Sequence, residues 1–327
     1  TALGDAVTRL AANGATNWPG VDVVVATRES SHALHRTVEA ILSQDYPGPV
    51  RVIVVHDRYG VGDDLERDSG DPHGYRRVVE VRRNTRSAGT SGARNCGMQA
   101  ATAPLLAFCD VGDLWLDHKL RRQVAVLRSD PAAAFVTTGI RTRFRGHSHD
   151  RVVSEAQLDL PSLLRGRLTR LHPSTFVMSR EAVMAGIGLL DETSVGSRVA
   201  ALEFLTRAAR WAPLRNLPAI GVEVARREPP TRAGAGTSTA AELAWLLDAC
   251  PEFSLLRTGE ARITGQIAVA SAVEGDRRGA TRWASMSLSR NIAEPRGYLA
   301  LAVAAVNARR VGRLVTSHGE ARIRALT

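Results

Sequence analysis

"VDVVVATRESSHALHRTVEAILSQDYPGPVRVIVVHD" (21–57) decides the fold. Its first seven residues, "VDVVVAT", form a nearly continuous β-branched run, the pattern of a strand buried on both faces. "SSHALHRTVEAILSQ" (30–44) then sets Leu34, Val38, Ile41 and Leu42 at helical spacing. "YPGP" (46–49) breaks the helix, and "VRVIVVHD" (50–57) is a second buried strand. Strand, helix and strand within so short a span predict a βαβ unit with parallel strands.

The pattern continues downstream. After a polar loop at 58–74, "YRRVVEVRRN" (75–84) alternates like a strand. "GTSGARNCGMQAAT" (89–102) reads as a helix whose small residues allow close packing, and "APLLAFCD" (103–110) as a buried strand. "LDHKLRRQVAVLRSD" (116–130) places Leu116, Leu120, Val124 and Leu127 on one helical face, and "AAAFVTTGI" (132–140) is another strand. Such alternation predicts an α/β fold: a Rossmann-like, mostly parallel sheet flanked by helices. Residues 171–192 read as a strand running into a helix, 197–211 as a helix and 216–228 as a strand. "PPTRAGAGTS" (229–238) has linker composition, Thr239 with Glu242 makes a capping-box pattern, and 239–325 reads as alanine-rich helices. The expected division is an N-terminal extension (1–19), an α/β domain (20–230) and a C-terminal helical domain (231–327).

The composition is ordinary for a globular protein: 44% hydrophobic and 23% charged over 327 residues. No run approaches the roughly 18 apolar residues that a membrane-crossing helix needs, and "YLALAVAAV" (298–306) is far shorter. No basic stretch followed by an apolar one opens the chain. Three cysteines without metal-ligand spacing (Cys96, Cys109, Cys250) read as reduced thiols, which together with the missing leader predicts a cytoplasmic protein. Lys119 is the only lysine among 43 basic residues, and the net charge is +10. The excess suits a phosphorylated ligand or a membrane surface. Scattered arginines and 5% aromatics argue against nucleic acid.

Polar residues gather where strands end. Asp57 closes one strand, Asp110 another with Asp113 three residues on, and Thr27, Arg28 and Glu29 follow the first. Open parallel sheets bind ligands beyond the carboxyl ends of their strands. Carboxylates there can hold a divalent cation that bridges phosphate oxygens. A single such acid is more simply a loop or helix cap; three strand ends with one pattern favour a site.

Five stretches in this order resemble the inverting family 2 glycosyltransferases, with their nucleotide-sugar-binding GT-A fold: "VDVVVATRES", "LSQDYPGPVRVIVVHD", "NTRSAGTSGARNCG", "LLAFCDVGDLWLDHKL" and "HPSTFVMSREAVMAGIGLLDE". The resemblance implies transfer of a sugar from a nucleotide-diphosphate donor, UDP by default, to an acceptor it does not name. It implies that Thr27, Arg28, Glu29 and Asp57 bind the nucleotide sugar, with Arg94 nearby. Asp110 and Asp113 fall at the diphosphate and at a weakly held Mg²⁺ or Mn²⁺, and His172 and Ser174 border the acceptor.

Two positions depart from the family pattern. Gly112 stands where an acid of the Asp-x-Asp cluster is expected, and Ala200 and Ala201 replace the Glu-Asp pair that supplies the base. Glu203 is the nearest carboxylate, although an i,i+4 ion pair with Arg207 is the simpler account of it. His172 is the other proton acceptor, or a metal ligand, against the reading of a hydrogen-bonded histidine at a strand start. These losses keep open a non-catalytic binding or scaffolding subunit; a nucleotidyltransferase of related fold is more distant. Trp115 reads as a packing anchor, "YGVGDD" (59–64) as an incomplete dinucleotide turn and "RFRGHSHD" (143–150) as a solvated or acceptor-facing loop rather than a metal site. The C-terminal helices, with the basic tail "NARRVGRLVTSHGEARIRAL" (307–326), are expected to meet a membrane surface or a protein partner peripherally, although a solvated charged face is a simpler account of the arginines than lipid binding.

Overall fold

The computed structural model describes residues 18–57, 65–70, 74–144, 147–194, 196–225 and 238–305. They form two compact units. The first takes in Thr1–Leu158, Leu171–Glu192 and Ala208–Arg227, and the second Asp159–Arg170, Thr193–Arg207 and Glu228–Thr327.

The first unit is built on one mixed sheet. Its strands are β1 (Val21–Thr27), β2 (Val50–His56), β3 (Arg67–Gly70), β4 (Arg76–Arg83), β5 (Leu105–Phe108), β6 (Leu114–Trp115), β7 (Phe135–Phe144), β8 (His147–Arg151), β9 (Gln157–Leu158), β10 (Val177–Ser179) and β11 (Leu214–Ala225). The order is β3-β4-β2-β1-β5-β10-β7-β11-β6, with β8 on β7 and β9 on β11. β4, β2, β1 and β5 run parallel, as do β7 and β11, while β10 lies antiparallel between β5 and β7. The valines of β1 and β2 are almost wholly buried, as two-sided burial requires. Asp22 survives among them because Arg51 donates to both its oxygens (2.8 and 2.6 Å) and the amides of Thr102 and Ala103 add two more bonds.

Helices α1 (His32–Leu42), α2 (Thr90–Ala100) and α3 (Lys119–Ser129) follow β1, β4 and β6. Ser31 caps α1 by accepting the Leu34 amide at 3.2 Å, and Leu34, Val38, Ile41 and Leu42 are buried. Gly97 lets α2 approach the sheet: a Cβ there would sit 2.4 Å from Val24 Cγ1. α3 begins at Lys119, three residues later than the apolar periodicity suggests. Residues 114–115 are drawn into β6, and His118 takes a left-handed conformation at φ 64°.

Short strands escaped the sequence reading. β3 lies within the expected polar loop, and residues 143–144 and 147–150 of "RFRGHSHD" pair as the facing ends of β7 and β8. Charge pairs such as Arg141 with Asp150 (2.7 and 2.9 Å) replace the apolar alternation that would have betrayed the ladder.

The second unit is helical among its described residues. It holds the Ser197–Arg207 part of α4 (Ser197–Trp211), then α5 (Thr239–Ala249), α6 (Arg257–Glu274), α7 (Arg277–Arg290) and α8 (Pro295–Ala305). Ser238 caps α5 through the Ala241 amide, one residue earlier than the capping-box pattern placed it. Small residues pack α6 to α8 together at Ala268, Ala284 and Ala300, with Val269 beside them. Among the described residues no helix is long and apolar enough to cross a membrane. The 307–326 tail, "YGVGDD", and most of the N-terminal extension and of the 229–238 linker lie outside the described residues.

Candidate functional site

Parallel pairing brings the ends of β1, β2 and β5 to one edge. Asp57 leaves β2 with its amide donating to the Thr27 carbonyl at 2.8 Å. Its Oδ1 accepts from Asn84 Nδ2 at 3.0 Å and from the Gly89 amide at 2.6 Å. Gly89 opens α2 with φ 116°, a conformation that favours glycine. Thr27 is buried, its hydroxyl donating to the Glu29 carbonyl at 2.7 Å, whereas Arg28 and Glu29 are exposed.

The turn after β5 is held from two sides. The Asp113 amide donates to the Asp110 carbonyl (3.0 Å) and the Gly112 amide to Thr37 Oγ1 (2.9 Å), while Thr37 Oγ1 donates to the Asp113 carbonyl (3.0 Å). Gly112 sits at φ 97°. A residue with a Cβ is strained there.

The strand-crossing segment before β10 completes the cluster. Ser174 Oγ accepts the Asp110 amide at 2.9 Å and donates to Asp113 Oδ2 at 2.5 Å. His172 Nδ1 lies 3.5 Å from the same Asp113 oxygen and accepts the Ser174 amide at 3.3 Å. One donor atom each from Asp110, Asp113 and His172 fall within 4.8 Å of one another. Arg94, only 2% exposed on α2, donates to Asp110 Oδ1 and lies 5.4 Å over the Phe108 ring. Its other terminal nitrogen, Nη1, is buried without a hydrogen-bond partner among the described residues. The two carboxylates are donors that suit Mg²⁺ or Mn²⁺, whereas the imidazole is a donor more typical of softer transition metals.

Beneath the turn, Trp115 donates its indole N–H to the Ser174 carbonyl at 3.0 Å, so it anchors the site as well as the packing. Lys119 Nζ stands 3.7 Å over the Trp115 ring, buried and without a hydrogen-bond partner among the described residues. Burial lowers its pKa to about 7. Burial, with Asp113 and Asp110 nearby, pushes the Cys109 thiol well up, so this cysteine stays protonated.

Glu203 belongs to the other unit. Both its oxygens accept from Arg207, at 2.7 and 2.8 Å, in the i,i+4 geometry. Ala200 and Ala201 are fully buried. Of the residues the sequence singled out, the structure thus gathers Asp110, Asp113, His172, Ser174 and Arg94, joins Thr27 to Asp57, and commits Glu203 to a local ion pair. Sequence reasoning missed the bridging role of Ser174, the Thr37 support and Glu192, which ties down the 84–89 loop. "HPST" ahead of an apolar run was the available signal for the first; nothing local marked the others.

The profile of Glycosyl transferase family 2 matches residues 22–185. Among curated relatives, the E. coli UDP-Glc:alpha-D-GlcNAc-diphosphoundecaprenol beta-1,3-glucosyltransferase WfaP is 26% identical over 110 residues, 34% of this chain and 42% of that protein. An uncharacterized glycosyltransferase of Nostoc sp. is 26% identical over 115 residues, 33% of each chain. Each match therefore spans less than half of the relative. Among solved structures, S. aureus TarS 1-349 in complex with UDP-GlcNAc superposes with a TM-score of 0.61 at 13% identity, covering 89% of both chains, which shows a shared fold. With the profile spanning half of the sequence and the strand-end cluster inside it, the chain belongs to glycosyl transferase family 2.

Proposed function

We propose that the chain transfers a sugar from a nucleoside-diphosphate sugar, UDP being the favoured nucleotide, to an acceptor hydroxyl by a single inverting displacement. The observation that carries this reading is the convergence of Asp110, Asp113 and His172 beside the buried Arg94 at the strand end. Asp57 and Thr27, with Arg28 and Glu29 at the rim, take the nucleoside, and Arg94 faces the diphosphate charge.

Asp110 and Asp113 would hold Mg²⁺ or Mn²⁺, which when bound would offset the charge of the departing diphosphate. With Gly112 in place of a carboxylate, the protein offers few oxygen ligands, so a metal would be held more tightly once a diphosphate is bound. In the displacement the acceptor oxygen attacks the anomeric carbon and the sugar–phosphate bond breaks with its electron pair leaving on the diphosphate. The hydroxyl proton goes to a base. Glu203 is a poor one, because both its oxygens already accept from Arg207 on the same helix. His172 is the better candidate in the tautomer that carries its proton on Nδ1, 3.5 Å from Asp113 Oδ2; that tautomer gives up the Ser174 amide contact and frees Nε2 to take the proton.

The buried alanines at 200 and 201 favour a second reading, a binding subunit without turnover. Incubating the protein with a panel of nucleotide sugars and Mn²⁺ separates the two. Release of nucleoside diphosphate supports the enzyme; tight nucleotide binding without any turnover supports the subunit. The helical unit is assigned peripheral contact with a membrane or a protein, a reading supported by the exposure of Leu255, Ile292 and Tyr298.

A further inference from the structure

We propose that Glu192 is a positioning residue for the nucleoside pocket, holding the 84–89 loop so that Asp57 keeps one orientation. This rests on the reading of Asp57 as a nucleotide-binding residue. Three groups converge on the Glu192 carboxylate. Arg86 donates through Nε, Asn95 donates at 2.7 Å from α2, and the Ser87 amide donates at 3.3 Å. Asn95 also exchanges two bonds of 2.9 Å with the Leu190 backbone, so the carboxylate cannot drift relative to α2. The loop is pressed on the helix as well: a Cβ at Gly92 would lie 1.9 Å from the Ser87 carbonyl oxygen.

The other end of this loop reaches the pocket. Asn84 donates to the Ser87 carbonyl (2.9 Å) and accepts the Arg86 amide (2.9 Å), so its amide group is fixed by the two residues that Glu192 grips. Asn84 Nδ2 and the Gly89 amide together orient Asp57 Oδ1. The path is thus Glu192 to Arg86 and Ser87, then Asn84 and Gly89, then Asp57. Burial alone would raise the Glu192 pKa; bonds from Asn95, Ser87 and Arg86 outweigh it and hold the group at about 2, so it is a fixed charge at any working pH. A proton-transfer role at neutral pH is therefore not what this carboxylate is built for.

The test compares Glu192→Ala, Glu192→Gln and the full-length parent by two measurements. Amide exchange resolved at Gly89 and Asn84, neither bonded to Glu192, reads the loop without any ligand. UDP affinity and the split between donor KM and kcat read the pocket. Glu192→Ala is expected to speed exchange at Gly89 by at least about tenfold and to weaken UDP by about tenfold, the loss of a charge-assisted anchor. Donor KM rises with it while kcat holds, and Glu192→Gln, which keeps an acceptor oxygen, recovers part of each. Unchanged exchange at Gly89 in a folded Glu192→Ala protein overturns the proposal, as does a fall in kcat with unchanged KM. If Glu192→Ala does not fold, Glu192→Gln and Arg86→Leu are judged by the same two readings. A parent that binds no UDP defeats the functional reading instead, and exchange at Gly89 then decides the positioning by itself.

Discussion

Two stretches carry the acids that matter here, and the fold treats them differently. At the end of β5, Asp110 and Asp113 are three residues apart, yet partners from distant parts of the chain organise them: Arg94, Thr37, Ser174 and His172. On α4, Glu203 finds its partner one turn away, where Arg207 takes both oxygens. A carboxylate satisfied within its own helix has little left to offer a ligand. One gathered with other donors at a strand end is held in a geometry that a cation or a phosphate can use. The difference teaches that the spacing of acids in the sequence matters less than where their partners come from.

The largest expected effect lies at the gathered end. Asp110→Ala removes the proposed metal ligand and leaves the buried Arg94 guanidinium without its carboxylate; turnover should fall on the order of 10² to 10³, the scale of losing one electrostatic contact to the leaving group. Asp113→Ala should be milder in metal binding, since Ser174 and His172 stay in place. Equal losses at Asp110, Asp113 and Glu203, measured by release of nucleoside diphosphate, would erase the contrast.

His172→Ala sharpens it from the other side. Loss of a general base costs about 10² to 10⁴ in rate, and the account places that loss at His172 while Glu203→Gln leaves turnover within about twofold. Comparing both variants for transfer and for donor hydrolysis decides the assignment. A collapse in Glu203→Gln with an unchanged His172→Ala would reverse it.

Lys119 gives a stability prediction with a definite sign. Its pKa in the folded chain is about 7 against an ordinary 10.5, so between those values the unfolded chain carries a proton that the folded one lacks. Stability therefore rises with pH across that window, and the full burial penalty applies below it. Lys119→Met should be more stable than the parent at pH 6 to 7, on the order of a few kcal/mol, with the gap closing near pH 10. Parallel unfolding curves at both ends of the range would show that the ammonium is not buried.

The smallest effects concern stability at the two acid stretches. Gly112→Asp restores the missing acid to the sequence but asks a side chain to adopt φ 97°, a cost of about 1–2 kcal/mol with no gain in metal affinity. Glu203→Gln should cost about 1 kcal/mol, the value of a partly exposed ion pair. Denaturant midpoints measure both. Tighter Mn²⁺ binding in Gly112→Asp would mean that the turn is more pliable than its Thr37 bonds suggest.

How much of this was legible follows from range. The β1–α1–β2 unit could be read because its signal is local: β-branched runs and a helical stripe ending at Pro47 and Gly48. The acids at Asp57 and Asp110 could be read as strand ends for the same reason. The insertion of β10 between β5 and β7 could not, because the register Val177↔Ala107 joins residues seventy apart and leaves no periodic trace. That pairing is what delivers Ser174 and His172 to the acids. Gly112 stands in the sequence where the family pattern has an acid, and its φ of 97° is one that glycine adopts without strain. Glu192 was hidden for a further reason, since its partners lie about a hundred residues upstream.

The most direct test of the strand-end site is a calorimetric titration of the full chain with UDP and Mn²⁺, separately and together, repeated on Asp110→Ala. The account predicts weak Mn²⁺ binding alone, tighter binding once UDP is present, and loss of that coupling in Asp110→Ala. Mn²⁺ that binds tightly and is indifferent to UDP, or a parent that binds no nucleoside diphosphate at millimolar concentration with or without metal, would contradict it.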